Sequence, residues 1–202
     1  MKFTHSNILE TMIKTFIGIG IISATVSSQI SNQIISKPKP VEISVVEYQS
    51  TWKCPECTTE EQYVLKQLQQ HTKITDKNSL ATILGNIKQE SKFVPNICEG
   101  GARVSYNECR SGGYGLIQWT SISRYKGLGR FCNKYSCDPS SLEGQTRWMI
   151  NEPTFQRVLP QFEGGGQTVS HYMKPAYRWL GWGIKGKREY YSYNYSKKMV
   201  WA

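Results

Sequence analysis

Leu80, Ile83, Leu84 and Ile87 recur at i, i+3, i+4 and i+7, the spacing that lines one face of a helix, so the chain is expected to be helical here. Asn78 is the expected cap, with the helix starting at Ser79. Upstream, Thr58 and Glu61 stand three residues apart as in a capping box, which predicts a helix running to about His71. A third helix is expected over Ser121 to Tyr135, although Gly127 and Gly129 weaken it, and a fourth with Asp138 as cap and Pro139 at the first helical position. Further helices are expected around Thr168 to Leu180 and Arg188 to Val200. The one long stretch without helical period is Gly-rich, from about Ile97 to Gly115. The fold class expected is all-α.

The first part of the chain follows another pattern. Phe16 to Val26 is a continuous apolar run, too short to span a bilayer, which needs about 20 apolar residues, but of the length of a signal-peptide core. Residues 1–28 are therefore expected to be a signal peptide or membrane anchor, with residues 8–28 as the part that would touch a membrane. Residues 29–57, with Lys37-Pro38-Lys39-Pro40, are expected to be a linker containing at most a short strand over Val41 to Tyr48. Residues 58–202 form the expected folded domain.

Charge and cysteines narrow the setting. With 25 Lys and Arg against 15 Asp and Glu the formal net charge is +10, which implies attraction to a polyanion: nucleic acid, anionic lipid or a cell-wall polymer. The six cysteines fall into three sequence-local couples, Cys54 with Cys57, Cys98 with Cys109, and Cys132 with Cys137, which suits disulfides in an oxidising compartment. Free thiols and zinc are the rival readings; for zinc, only Cys54 and Cys57 have a ligand-like spacing, and His5, His71 and His171 are isolated. No metal and no cofactor are expected.

Two stretches carry candidate chemistry. Glu90 continues the apolar stripe at i+7 from Ile83 and stands near the helix C-terminus, where the helix dipole disfavours negative charge. Desolvation against apolar neighbours would raise its pKa and suit it to act as a general acid. The second stretch, "GGYGLIQW" from Gly112 to Trp119, joins glycines that allow close approach to an amide, Gln118, and to two rings, Tyr114 and Trp119, that could stack on a sugar. Each feature alone has a bland alternative: a Glu that turns outward at a frayed helix end, and a tight turn before a buried Trp. Glu99, Glu108 and Asp138 read as loop or capping acids. The aromatic and basic stretch from Tyr177 to Trp201 suits a glycan or a nucleic-acid strand, or packs on the core.

Taken together, Glu90-Ser91 followed by Gly115-Leu116-Ile117-Gln118 resembles the phage tail lysozyme family, within the superfamily of goose-type lysozymes and lytic transglycosylases. Tyr172-Met173-Lys174-Pro175 is loosely similar to a further segment of that family, departing from it at Met173. The resemblance implies a lysozyme-like α-rich domain over 58–202 that cleaves the MurNAc to GlcNAc β-1,4 bonds of peptidoglycan. Glu90 would be the general acid, and Gln118, Tyr114, Gly115, Trp119 and Tyr172 the substrate-binding residues. It leaves hydrolase and transglycosylase both open. The implied partners are peptidoglycan strands and virion or channel proteins, and the implied location is periplasmic, extracellular or tail-associated. The rival class is a structural or glycan-binding component that keeps the fold without turnover. A nucleic-acid binder ranks last, since it leaves Glu90 and Gln118 without a purpose.

Overall fold

The computed structural model describes residues 51–110 and 112–202. The leader, the spacer up to residue 50 and the strand expected over 41–48 lie outside the described residues. Among those described there are seven α-helices: α1 (Thr59–His71), α2 (Lys77–Ser91), α3 (Ile122–Tyr135), α4 (Leu142–Asn151), α5 (Pro153–Glu163), α6 (Val169–Leu180) and α7 (Arg188–Lys198). Two short strands, β1 (Trp52–Lys53) and β2 (Val200–Trp201), pair antiparallel. The fold is all-α, as the periodicity implies, and none of these helices is long and apolar enough to cross a membrane.

The helix starts show which local signals decided. Thr58 and Glu61 form the reciprocal capping box of α1, while Ser121 and Thr168 cap α3 and α6 with their hydroxyls. Two expected caps are corrected. Asp76, not Asn78, accepts from the Ser79 N–H and starts α2 two residues early, and Asn78 instead donates to the Gln167 carbonyl and accepts from Ser196. Asp138 braces a turn, accepting from the Ser140 N–H, so α4 begins only after the Ser141 cap. Residues 52–57, expected as linker, belong to the helical unit: Trp52 bonds Gln69 through its backbone, and its ring meets Trp201 edge-on at 5.1 Å.

The amphipathic reading of α2 is also corrected, because every residue from Ser79 to Ile87 is buried. The face opposite the Leu80–Ile87 stripe carries small side chains or polar ones that each make a hydrogen bond. Thr82 donates to the Asn78 carbonyl, Asn86 to the Thr82 carbonyl, and Ser79 to the Phe162 carbonyl. This lets α2 run through the middle of the domain, with α7 as its principal neighbour and α1, α5 and α6 around it. The approach to α7 is close at Gly85, where a Cβ would stand 2.5 Å from the Ser192 amide nitrogen.

A polar network pins α1, α2 and α7 together. Buried Glu61 of α1 accepts from Lys88 of α2 at 2.7 Å and from the Tyr195 hydroxyl of α7 at 2.5 Å. Burial pushes the Glu61 carboxyl up, but the bonds from Lys88, Tyr195 and the Thr58 N–H together outweigh it and hold the group below its ordinary value of 4.5. A depressed carboxyl stabilises the fold fully above that ordinary value, and the stabilisation is lost as the pH falls through the folded one. Melting temperature should therefore fall on acidification below pH 4.5. In Glu61→Gln this acid limb should be shallower, and an equally steep limb would reject the network as its source.

Candidate active site

Glu90 is the penultimate residue of α2, and the helix stops at Lys92, whose left-handed φ of 53° turns the chain away. The adjacent Ser91 is buried, and its hydroxyl donates to the Leu116 carbonyl at 2.8 Å while accepting from the Phe93 N–H. This joins the end of α2 directly to the Gly-Leu-Ile-Gln segment. The two stretches picked out in the sequence thus meet through Ser91.

A second fastening comes from Gln145 of α4, which is fully buried. Its oxygen accepts from the Leu116 N–H at 2.8 Å, and its nitrogen donates to the Pro95 and Pro139 carbonyls at 2.6 and 2.8 Å. One amide therefore holds the chain after Glu90, the Gly-rich segment and the start of α4. Gly115 is required here, since its φ is 73° and a Cβ would stand 2.2 Å from the Gln145 oxygen.

The loop between Ile97 and Gly115 is folded on itself by the Cys98–Cys109 disulfide and by isolated bridges of Ile97 with Arg103 and Cys98 with Tyr114. Its acids serve the backbone. Glu99 accepts from the Gly113 N–H at 3.0 Å, and Glu108 accepts from the Ser105 hydroxyl and N–H, which hold its carboxyl below the ordinary range. Tyr106 and Tyr125 stack at 4.3 Å and clamp the loop to α3. Burial, with the neighbouring rings of Tyr106 and Tyr114 adding to it, pushes the Tyr125 hydroxyl up to about 12. The other two disulfides are Cys54–Cys57 and Cys132–Cys137, so all three sequence-local couples are paired.

The apolar setting expected for Glu90 is corrected. Its carboxyl meets the guanidinium of Arg188, with Nη2 at 2.5 Å from Oε1; the two side chains are 14% and 7% exposed. Arg188 is the first residue of α7, the end of a helix where the dipole disfavours a cation, just as Glu90 occupies the end of α2 that disfavours an anion. Each charge is misplaced on its own helix and matched by the other. Arg188 is held in turn by the Ile184 and Lys185 carbonyls, each at 2.8 Å, and lies 4.8 Å from the Trp182 ring centroid. Gln89 closes the arrangement by accepting from the Lys187 N–H at 2.9 Å. Sequence reasoning missed Arg188, and a cation at the first position of a helix was the signal that could have found it.

The expected sugar-stacking rings are elsewhere. Tyr114, Trp119 and Tyr172 are completely buried, so none offers a face to a ligand. Tyr114 donates to the Val104 carbonyl, Trp119 donates to Glu152, and Tyr172 stacks on Phe162. Glu152, also fully buried, collects Trp119, Trp179 and Arg124 and is a core anchor that the sequence did not suggest. Gln118 is half-buried, and its amide nitrogen donates to the Ile97 and Gly115 carbonyls at 3.3 and 3.0 Å. Gln118 itself takes a left-handed φ of 51°.

Two concavities matter for placing a ligand. One of about 1070 Å³ runs along β1 and α1, between Trp52, Tyr63, Lys66 and Gln69, and Glu90 is not among its lining residues. A smaller one, of about 500 Å³, is formed by Met173, Lys174, Tyr177, Arg178 and Trp182, the last being the ring that covers Arg188. Glu90 lines neither, but the smaller shares Trp182 with Arg188, the partner of Glu90.

Comparison with known proteins adds one match. The family model for phage tail lysozyme matches residues 45–178, which include the Glu90-Ser91 pair, the Gly-Leu-Ile-Gln segment and Gln145. No curated protein and no solved structure matches significantly.

Proposed function

We propose, from the premise that this chain belongs to the phage tail lysozyme family, that it cleaves the glycan strands of peptidoglycan with Glu90 as general acid. Family membership gives the chain a peptidoglycan-degrading, lysozyme-like function. The observation that supports the finer assignment is the Ser91 to Leu116 hydrogen bond, which seats the carboxylate-bearing helix end on the Gly-rich segment. Arg188 engages Oε1, and Oε2 is the atom assigned to hold the proton for the glycosidic oxygen.

Proton delivery to that oxygen lets the C1–O4 bond break through an oxocarbenium-like transition state. Two routes then complete the reaction: a second carboxylate activates water or attacks C1, or the sugar's own 6-hydroxyl attacks C1 and returns its proton to Glu90. Glu99 and Glu108 are both occupied with backbone N–H groups of the loop, which supports the second route. Gln118 and Gln145 then act as braces that keep the Gly-rich segment against Ser91, and are not sugar contacts. The three disulfides and the family favour an extracellular or virion-associated place of work.

The test is mass analysis of muropeptides released from purified sacculi by the full chain. Anhydro-muramyl ends are the expected product. Reducing ends would replace the single-acid route by hydrolysis while leaving Glu90 in place. No release at all would overturn the enzymatic assignment in favour of a structural or glycan-binding component.

A further inference from the structure

The groove of about 500 Å³ beside the Glu90 pair has a composition that the cleavage chemistry does not use. Met173 is buried at its floor, while Tyr177 and Trp182 stand as its aromatic walls, edge to face at 5.3 Å. Lys174 and Arg178 provide the charge. They are four residues apart on α6, one turn on one face, so the two cations are spaced by about 6 Å along the helix. Among the described residues neither has a carboxylate partner within ion-pair distance; Arg178 donates to the neutral Gln161 at 2.6 Å.

The groove shares its walls with the Glu90 site. The Trp182 ring faces the Arg188 guanidinium, and Arg188 holds Glu90. Met173 lies 3.7 Å, sulfur to nitrogen, from Asn86, which is one turn before Glu90 on α2. A polymer with its scissile bond at Glu90 would therefore extend a neighbouring group into this groove. In stem-bearing peptidoglycan the lactyl carboxyl of each MurNAc is tied up in the amide to its peptide stem, so the sugars are neutral and the free carboxylates are carried by the stems. Two adjacent, uncompensated cations next to an aromatic wall match an anionic group hanging from a sugar backbone, not the backbone itself.

We infer that the Met173–Trp182 groove binds a carboxylate of the peptide stem on the strand engaged by Glu90, so that the protein selects stem-bearing over bare glycan. This rests on the assignment of peptidoglycan as substrate. The binding test is therefore made separate from turnover. Full-length protein carrying Glu90→Gln is sedimented with glycan strands bearing stems, with neutral β-1,4-linked GlcNAc oligomers as the bare glycan, and with a single-stranded oligonucleotide. Adding Lys174→Gln and Arg178→Gln should weaken binding to stem-bearing strands about tenfold, the size of one hydrogen bond to a charged group. Binding to the neutral oligomers should stay within about twofold. Lys174→Gln alone, which keeps the Arg178 tether to Gln161, should show a smaller loss of the same selectivity.

Equal weakening on both kinds of glycan, or none on either, overturns the inference, as does a larger Lys174- and Arg178-dependent loss for the oligonucleotide than for the strands. Cleavage by the unmutated chain is read in parallel. If cleavage occurs but the cations do not discriminate, the groove assignment falls and Glu90 stands. If discrimination occurs without cleavage, the groove stands and the enzymatic assignment falls.

Discussion

Replacing Glu90 with Gln is expected to lower muropeptide release by about 10²- to 10⁴-fold, the usual contribution of a positioned general acid. The fold should survive. The Gln oxygen can still accept from the Arg188 Nη2 that now donates to Glu90, so the change exchanges an ion pair for a bond from the same cation to a neutral amide and costs about 1 kcal/mol. In a unit of this size that lowers the melting temperature by about 2–4 °C. The two readouts must separate: activity lost, melting point nearly kept. Glu90→Asp is the sharper companion, because it keeps the acid but withdraws it by one methylene, and misplacement of about 1 Å is enough to cost on the order of 10²-fold. If Glu90→Gln released muropeptides at the wild-type rate, Glu90 would be an ion-pair partner of Arg188 and nothing more.

How much of this was legible depended on sequence distance. The capping box at Thr58 and Glu61, the helices expected from about Ser121 and Thr168 and the three cysteine couples are decided within about a dozen residues, and all stand in the structure. α5 was not foreseen, because Pro160 inside it breaks the ordinary helical signal, although Pro153 at its first position is a helix-start signal of its own. The strand pair was hidden for the opposite reason: Trp52 and Trp201 lie at the two ends of the described chain, and nothing local announces their pairing. The same holds at the candidate site. Glu90 could be singled out because its misplacement is a property of one helix, but its partner is 98 residues away. Gln145 looks like any surface amide until its three bonds are seen, and Trp119 looks like a sugar platform until Glu152 takes its N–H. Motif spacing located the carboxyl and the loop; long-range packing decided what surrounds them.

That packing has a point of leverage in Gly85. A methyl group there would stand 2.3 Å from the Ser192 hydroxyl oxygen, 2.5 Å from its amide nitrogen and 2.7 Å from its Cα, so α2 and α7 would have to move apart. Ala is the better helix former by about 1 kcal/mol, yet overpacking costs about 1–3 kcal/mol, and since two of the close atoms are backbone the upper end applies, so the clash is expected to win by about 2 kcal/mol. The melting temperature should fall by about 4–8 °C. Activity should fall further than stability explains, on the order of 10²-fold, because Arg188 lies one turn before Ser192 and moves with it away from Glu90. Adding Ser192→Gly should not rescue Gly85→Ala, since two of the three close atoms are backbone. Gly164→Ala is the control: its nearest neighbours are carbonyl oxygens at 3.7 and 3.8 Å, so it should be neutral or slightly stabilising. Thermal melts and muropeptide release on the four proteins decide the matter. Rescue by Ser192→Gly would mean that the hydroxyl, not the approach of the two helices, sets the distance between Glu90 and Arg188.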